Sequence, residues 1–265
     1  MSSDFADRYG PVAVVTGAAQ GIGACFVAEL ARRGLDVVAI DVQDEPLRRC
    51  CDLASRAGPT VTPLVVDLEA HDHARIIDQN TAQMDVGLVI HNAAWTGIEP
   101  FASSTFEDLQ RSLDVNVRAP AMVARTFAPR LIERGRGGMI FMSSLASVVG
   151  APRLAAYAAS RAYTRSLGES LWAELSPAGI EVLVAMPGAT STAGFWASNP
   201  APTALSGVPL ADPKAVALEA LGAIGRGPIR VLGRRNRMTE MLLSRVLPRR
   251  LANRLVSANL DKMYG

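Results

Sequence analysis

Three residues near the middle of the chain could exchange protons with, or donate hydrogen bonds to, a bound molecule. Ser144 follows an apolar run, and Tyr157 and Arg161 lie four residues apart in a segment with helical spacing. Residues four apart share one face of a helix. A phenol titrates at about pH 10, so it serves as a base at neutral pH only where a cation lowers its pKa. The pattern predicts Tyr157 as a general acid or base, Arg161 as its cation and Ser144 as a hydrogen-bond partner of the substrate oxygen.

A second group of residues has the chemistry of a nucleotide site. Gly17, Gly21 and Gly23 follow a short apolar strand and precede an apolar helix. Such glycines allow a tight turn and bring a phosphate close to the free N–H groups of the helix. The next strand ends at Asp41, about 20 residues further on, where a carboxylate accepts both ribose hydroxyls and repels a 2′-phosphate. Since no cation follows before Arg48, these residues predict NAD rather than NADP.

Short β-branched runs alternate with helix-length segments along the whole chain. Strands joined in this way by helices form a parallel sheet with helices on both faces, and their side chains are buried on both sides. We therefore predict an α/β fold, a single Rossmann-type, doubly wound domain over residues 1–265 with a seven-stranded parallel sheet. Ligands bind beyond the carboxyl ends of such strands, where the residues named above fall. Ser104 and Glu107 have the spacing of a capping box at a helix start. The predicted strands are Val12–Thr16, Val37–Ile40, Val61–Val66, Val86–His91, Met139–Ser143, Ile180–Ala185 and Ile229–Leu232.

Over residues 12–192 the chain resembles the short-chain dehydrogenase/reductase family. Tyr157 follows Ser144 by 13 residues, the Ser-to-Tyr spacing of that family, and Asn116 matches its helix asparagine. The resemblance implies a catalytic set of Asn116, Ser144, Tyr157 and Arg161, in which Asn116 helps to fix a water. The cofactor-binding residues that it implies, together with those argued above, are Gly17, Gln20, Gly21, Ile22, Gly23, Asp41, Val42, Asp67, Leu68, Asn92, Ala93, Tyr157, Arg161, Pro187, Gly188, Thr190 and Thr192.

One position departs from the pattern of the family. Its Tyr-x-x-x-Lys is here Tyr157-Ala-Ala-Ser-Arg161, and the only lysines of the chain are Lys214 and Lys262. Arginine keeps the positive charge, and its planar fork can grip a ribose diol, but it does not readily give up a proton. We therefore expect electrostatic support of Tyr157 to survive in part and a proton relay through this position to be impaired.

Two functions of different classes follow from these residues. The first is an NAD(H)-dependent oxidoreductase that transfers a hydride between nicotinamide and a hydrophobic secondary alcohol or ketone, with Tyr157 as the general acid or base. The second is an NAD-binding protein of the same fold with non-redox chemistry, such as that of a dehydratase or cyclase, or with no turnover because Arg161 replaces the lysine.

The substrate side is predicted from an uncharged, proline-rich stretch. Residues 190–210 follow the sixth strand and are predicted to form a lid that closes over the substrate. Trp95, Phe195 and Trp196 would supply an apolar, aromatic wall, with ordinary loop packing as the alternative. Arg153 precedes Tyr157 by four residues, and it would either meet an acidic group of the substrate or be solvated.

The C-terminal extension, residues 234–265, is basic and amphipathic. From Arg226 onward there are ten Lys and Arg against two acids, although the whole chain has a formal net charge of only +2. Pro248 divides this extension into two short helical pieces. Such pieces lie on an anionic membrane surface, or they pack on the domain, across a subunit boundary or over the active site. The family resemblance further implies a homodimer or homotetramer.

Composition excludes several other classes of protein. Apolar residues make up 49% of the 265 and charged residues 20%, so a large buried core is expected. The basic excess sits at one end, which argues against a nucleic-acid partner. Three cysteines without a CxxC pattern and three unclustered histidines predict reduced thiols and no metal site. The first residues lack the apolar core of a secretory signal, and we therefore expect a cytoplasmic enzyme.

Overall fold

The computed structural model describes residues 2–198 and 210–264 of the chain. Seven parallel strands form one sheet in the order β3-β2-β1-β4-β5-β6-β7. This confirms the predicted α/β, Rossmann-like sheet, in which the crossover from β3 back past β1 to β4 leaves a cleft at the carboxyl ends of the strands. The strands are β1 Val12–Thr16, β2 Asp36–Asp41, β3 Val61–Val65, β4 Val86–His91, β5 Gly137–Met142, β6 Ile180–Met186 and β7 Ile229–Val231.

The helices cover both faces of the sheet. One apolar cluster lies under α2, α3 and α9, and a second lies under α4, α6 and α7 on the opposite face. A π-helical turn, Asp114–Arg118, joins α5 to α6, and another, Leu242–Val246, continues α10. The helices are α1 Ser2–Tyr9, α2 Gly21–Arg32, α3 Asp44–Ser55, α4 His73–Thr81, α5 Phe106–Leu113, α6 Ala119–Arg134, α7 Ala155–Leu175, α8 Ala193–Ala197, α9 Pro213–Ala223, α10 Arg234–Met241 and α11 Arg249–Tyr264.

Two local predictions are wrong. β3 is not buried on both faces: Thr62 and Val65 are exposed, because β3 is the edge strand, which also explains why Pro63 is tolerated in it. The helix after the fourth strand is not capped by Ser104. Thr105 is its N-cap, and the Thr105 hydroxyl oxygen accepts a hydrogen bond from the backbone N–H of Asp108 at 3.0 Å.

The carboxyl ends of β2, β4 and β5 hold the chemically interesting residues. Asp41 is the last residue of β2, His91 the last of β4, and Ser144 follows β5 by two residues.

Among the described residues, no helix is both long and apolar enough to span a membrane. The same residues contain no group of three or more His, Cys, Asp or Glu side chains that could hold a metal ion.

Candidate active site

The turn between β1 and α2 requires glycine at positions 17, 21 and 23. Gly17 and Gly21 have φ angles of 65° and 59°. A Cβ on Gly17 would lie 2.7 Å from the Cα of Ala93, and one on Gly23 would lie 1.8 Å from the carbonyl oxygen of Gly17. The backbone of the turn therefore packs directly on the first turn of α2, and Gln20 at the N-cap makes no side-chain hydrogen bond there. This leaves helix N–H groups for an anion such as a phosphate.

Asn92 and Thr16 hold this turn against the end of β4. The Asn92 side-chain amide donates to the carbonyl oxygen of Gly17 at 3.0 Å and to that of Thr16 at 3.3 Å. The Thr16 hydroxyl oxygen accepts from the backbone N–H groups of Asn92 and Ala93, both at 3.2 Å. Two neighbouring strand ends are thus locked together, which fixes the shape of the site before any ligand binds.

A cleft of about 320 Å³ opens beside the glycine turn. It is lined by three carboxylates, of Asp41, Asp67 and Glu69, and by no Lys or Arg in the part of the chain that the structure describes. The structure brings most of the predicted cofactor-binding residues to this one cleft, together with Trp95. The predicted residues found there are Gly17, Gln20, Gly21, Ile22, Asp41, Val42, Asp67, Leu68, Asn92, Ala93 and Thr192.

The Asp41 carboxylate is fixed in place at the wall of the cleft. One oxygen accepts from the backbone N–H of Ala19 at 3.0 Å, and the other accepts from the backbone N–H of Gln43 at 3.1 Å. Asp41 is only 8% exposed. Each carboxylate oxygen can accept more than one hydrogen bond, so ribose hydroxyls could still be bound here.

The segment after β6 lies at the opposite wall. Thr192 caps the short helix α8, accepting from the N–H of Phe195 at 3.1 Å, and its methyl group lies 3.1 Å from the position of a Cβ on Gly21. Pro187 accepts a hydrogen bond from the N–H of Leu145 at 3.0 Å, so the segment is tied to the loop after β5. Of the predicted cofactor residues, Gly23 packs beneath the turn, and the lining of the cleft does not include Pro187, Gly188, Thr190, Tyr157 or Arg161.

Tyr157 opens onto a second, smaller cavity next to the first. This cavity, of about 20 Å³, is lined by Tyr157, Arg153, Phe101 and Leu109 among others, and Trp95 lines both cavities. The Ser144 hydroxyl oxygen accepts from the N–H of Ala146 at 3.1 Å, which leaves its proton free to be donated. Trp95 therefore stands at the boundary between the cleft beside the glycine turn and Tyr157, the predicted acid or base.

Arg161 lies beside Tyr157, as predicted, but its hydrogen bonds go to protein oxygens. It is 2% exposed, and its two terminal nitrogens donate to the carbonyl oxygen of Met142 at 3.0 Å and to Oδ1 of Asn116 at 2.9 Å. We expected these nitrogens to grip a ribose diol at the cleft; instead they are committed to protein oxygens beneath it. The reason is that the long side chain reaches the free carbonyl where β5 ends. Its cationic carbon lies 4.9 Å from the centroid of the Tyr157 ring, so the charge remains beside the phenol.

Asn116 forms a clamp that the sequence analysis did not predict. Its Oδ1 accepts from the backbone N–H of Trp95 at 2.9 Å, and its side-chain amide donates to the carbonyl oxygen of Trp95 at 2.8 Å. Arg161 donates to the same Oδ1, so a chain of contacts runs from Arg161 through Asn116 to Trp95. The sequence pointed to Asn116 only through its match to the helix asparagine of the family.

His91 is a further buried polar residue that sequence reasoning missed. Its Nδ1 lies 3.1 Å from the Thr16 hydroxyl oxygen. Because that hydroxyl already accepts two backbone N–H groups, it donates its proton to Nδ1, which makes His91 the neutral Nε2–H tautomer. Burial, with a smaller contribution from the Arg161 charge, lowers the pKa of His91 to about 3. His91 is therefore neutral at physiological pH.

The predicted substrate residues are only partly assembled. Arg153 has a φ of 60°, unusual for a residue other than glycine, and its carbonyl oxygen accepts from the N–H of Glu99 at 3.0 Å. Phe195 and Trp196 lie on α8 with ring centroids 5.4 Å apart, and Trp196 is half exposed. Residues 199–209 of the predicted lid lie outside the described residues.

Cys25, Cys50 and Cys51 are free thiols, as predicted, and burial raises the pKa of Cys50 to about 12.

Two curated relatives have related sequences. The 1-deoxy-11-beta-hydroxypentalenate dehydrogenase of Streptomyces exfoliatus is 38% identical over 186 residues, covering 68% of this chain and 67% of that protein. The inactive hydroxysteroid dehydrogenase-like protein 1 of Homo sapiens is 29% identical over 201 residues, covering 74% of this chain and 61% of that protein.

Solved structures share the fold. That of a 7beta-hydroxysteroid dehydrogenase superposes with a TM-score of 0.88 at 20% identity, covering 95% of this chain and 98% of that one. A putative NAD(P) dependent gluconate 5-dehydrogenase from Beutenbergia cavernae, with bound NADP, gives a TM-score of 0.78 at 26% identity, covering 84% and 94% of the two chains. The family model for short chain dehydrogenases matches residues 11–202. The chain therefore belongs to the short chain dehydrogenase family, and it is an oxidoreductase of alcohol or ketone substrates.

Proposed function

We propose that the protein transfers a hydride between NAD(H) and a hydrophobic secondary alcohol or ketone, with Tyr157 as the general acid or base. The observation that carries this proposal is the arrangement of the two cavities. Tyr157 lines one of them, the glycine turn and Asp41 line the other, and Trp95 lines both. Substrate and cofactor would thus meet at Trp95, with the phenol on the substrate side.

The residues of the chain fit a dinucleotide. The glycine turn leaves no room for a Cβ and presents the N–H groups of α2 to a pyrophosphate, and the Asp41 carboxylate would accept the ribose hydroxyls. When bound, NAD(H) would supply or accept the hydride. Asn92 and Thr16 hold the turn in shape, and Thr192 approaches it from the opposite wall.

The protons and hydrogen bonds come from the residues of the chain. During reduction Tyr157 would donate its phenolic proton to the carbonyl oxygen, and Ser144 would donate a hydrogen bond to the same oxygen. In the oxidation direction the Tyr157 phenolate would take the proton of the alcohol. The cationic carbon of Arg161 lies 4.9 Å from the centroid of the Tyr157 ring. Asn116 would act indirectly, by holding the Trp95 backbone between the two cavities.

Asp41 is the reason for proposing NAD rather than NADP. The carboxylate is held by two backbone N–H groups, and the described lining contains no cation to pair with a 2′-phosphate. The structural relative with bound NADP shows that the family also includes members that hold the other cofactor. The preference of this chain thus depends on its own side chains.

The substrate is proposed to be bulky and apolar. Trp95, Phe101 and Leu109 contribute apolar surface beside Tyr157, in a cavity that Glu99, Asp108 and Arg153 also line. The curated relative from Streptomyces exfoliatus acts, by its name, on a hydroxylated pentalenate. Arg153 lines the same cavity and would meet an acidic group if the substrate carries one.

The test is NADH oxidation with a panel of hydrophobic ketones. Tyr157→Phe should lower kcat by at least about 100-fold, because proton transfer typically contributes that much. Tyr163→Phe removes the same hydroxyl from an exposed position on the same helix and should leave kcat within about twofold. If Tyr157→Phe turns over as fast as the unchanged protein, Tyr157 is not the acid or base.

A second candidate is a cofactor-binding protein without redox turnover. The observation in its favour is the commitment of both Arg161 terminal nitrogens to protein oxygens, and one relative is named an inactive protein. This candidate predicts NAD binding by calorimetry with no hydride transfer to any ketone of the panel. Measurable turnover would exclude it.

A homodimer or homotetramer is also proposed. Exposed apolar side chains on α6 and α7, those of Met122, Ile132, Tyr163 and Trp172, would be covered by a second copy. Sedimentation velocity would test this: a monomer at micromolar concentration would contradict it.

A further inference from the structure

The C-terminal strap, which we define as Arg234–Tyr264, is anchored on the domain by one face. Leu243, Leu247, Ala252 and Val256 pack against the loop after β5 and the end of β6. Arg249 donates to the carbonyl oxygen of Val148 at 2.7 Å, and the Asn253 side chain donates to that of Gly150 at 2.8 Å. The inner face of the strap therefore packs on the domain, which was one of the predicted alternatives. These contacts fix which face of the strap points outward.

The outer face of the strap is apolar at helical spacing. Met238 lies three residues before Met241 and four before Leu242, and Val246 lies four residues after Leu242. These side chains therefore form one stripe along α10 and its π-helical continuation. Leu251 and Leu255 form a second, four residues apart, on α11. All six side chains are between 44% and 70% exposed. Exposed apolar patches of this kind mark contact with a protein or a membrane.

Unpaired cations accompany these stripes. Arg234, Arg235, Arg245, Arg250 and Arg254 are exposed and make no ion pair with the described residues. In contrast, Arg237 pairs with Glu219 at 2.8 Å. The strap has only two acids of its own, and one of them, Glu240, accepts a hydrogen bond from Ser244 at 2.8 Å. The outer face thus carries both exposed apolar side chains and arginines that no acid of the described residues pairs.

We propose that the outer face of the C-terminal strap docks on an anionic lipid bilayer. Interfacial helices bury an apolar stripe at the level of the headgroups while their arginines contact anionic lipids, and the arrangement seen here supplies both. A second copy is a poorer partner, because a two-fold contact between straps would place five unpaired arginines against five others. The proposal does not depend on the chemistry at Tyr157.

The test is co-sedimentation of the full chain with vesicles of phosphatidylcholine, with or without about 30% phosphatidylserine, at low and at physiological salt. We expect binding to the anionic vesicles at least about tenfold stronger than to the neutral ones, and weaker binding at higher salt. Two triple variants should each weaken binding to the anionic vesicles by at least about tenfold. One is R245Q/R250Q/R254Q, and the other is M238S/M241S/V246S.

The matched control removes the same charge elsewhere. Arg56, Arg125 and Arg136 are exposed and have no ion pair among the described residues, so R56Q/R125Q/R136Q should change vesicle binding by less than about threefold. Thermal denaturation checks that every variant is folded. Failure of the unchanged protein to bind anionic vesicles overturns the proposal, and so does an equal effect of the control. Self-association that the strap variants abolish, without vesicle binding, would assign the surface to a second copy instead.

Discussion

Asp41→Asn is the substitution that best isolates the basis of cofactor choice. The asparagine side chain has nearly the same shape, and its amide oxygen can still accept the hydrogen bond from the Ala19 N–H, which the Asp41 carboxylate accepts at 3.0 Å. The glycine turn should therefore keep its geometry. The hydrogen bond from the Gln43 N–H at 3.1 Å is lost, because the amide nitrogen cannot accept it. The change removes one negative charge at the place where the 2′-hydroxyl of an adenosine ribose, or the 2′-phosphate of NADP, would lie.

The size of the effect follows from Coulomb's law. A carboxylate that accepts a ribose hydroxyl would have a 2′-phosphate at about 4 Å, where two unit charges repel by about 1 kcal/mol in water and about 4 kcal/mol at the effective dielectric of a protein surface. Asp41 is 8% exposed, so a value of at least about 2 kcal/mol is expected. This corresponds to about 30-fold or more in kcat/KM.

The assay compares kcat/KM for NADH and NADPH with one ketone substrate. We expect the unchanged protein to prefer NADH by at least about 30-fold and Asp41→Asn to lower this ratio to about fivefold or less. Asp67→Asn is the matched control, because it removes another carboxylate from the same cleft and should change the ratio by less than about twofold. The reasoning is refuted if the unchanged protein prefers NADPH, or if the two variants shift the ratio equally.

Four further substitutions test the neighbouring structure and the stability of the fold. Arg161→Met should lower kcat/KM for the ketone by at least about tenfold, since a charged hydrogen bond to Asn116 is lost; a shift in the calorimetric Kd of NAD above about threefold would instead place the guanidinium at the ribose. Gly23→Ala should destabilise the fold by at least about 1–3 kcal/mol and abolish NAD binding, because its Cβ would lie 1.8 Å from the Gly17 carbonyl oxygen. Gly222→Ala, with open space around it, should stabilise by about 0.5–1 kcal/mol in urea melts, and equal melts for the two variants would contradict this. The folded protein holds the pKa of His91 at about 3, below its unfolded value of about 6.5. The unfolding free energy should thus fall by up to about 1.4 kcal/mol per pH unit as the pH drops from about 6.5 toward 3. His91→Gln should remove that part of the slope, leaving that of His73, whose pKa burial also lowers. An unchanged slope in urea melts would show that folding does not lower the pKa of His91.

The order of elements and the cofactor cleft were predictable because they depend on local patterns. Buried strands of a parallel sheet are apolar along their whole length, and glycines at the turn after Thr16 are required by the backbone itself. The ends of neighbouring parallel strands meet at one edge, so Asp41 and Asn92 could be placed in one cleft from their positions alone. The exposed face of β3 could not be anticipated in this way, because only the strand order makes β3 an edge.

The sequence by itself determined the parallel α/β sheet, the glycine turn and the identity of the proton-exchanging candidates, since each rests on residue type and spacing. Only the tertiary structure decided where the Arg161 cation lies. Its position depends on two acceptors remote in sequence, the Met142 carbonyl oxygen at the end of β5 and the Asn116 side chain in a π-helical turn. A long, flexible side chain follows the nearest unsatisfied acceptors, and those are known only once the strands and helices are packed together.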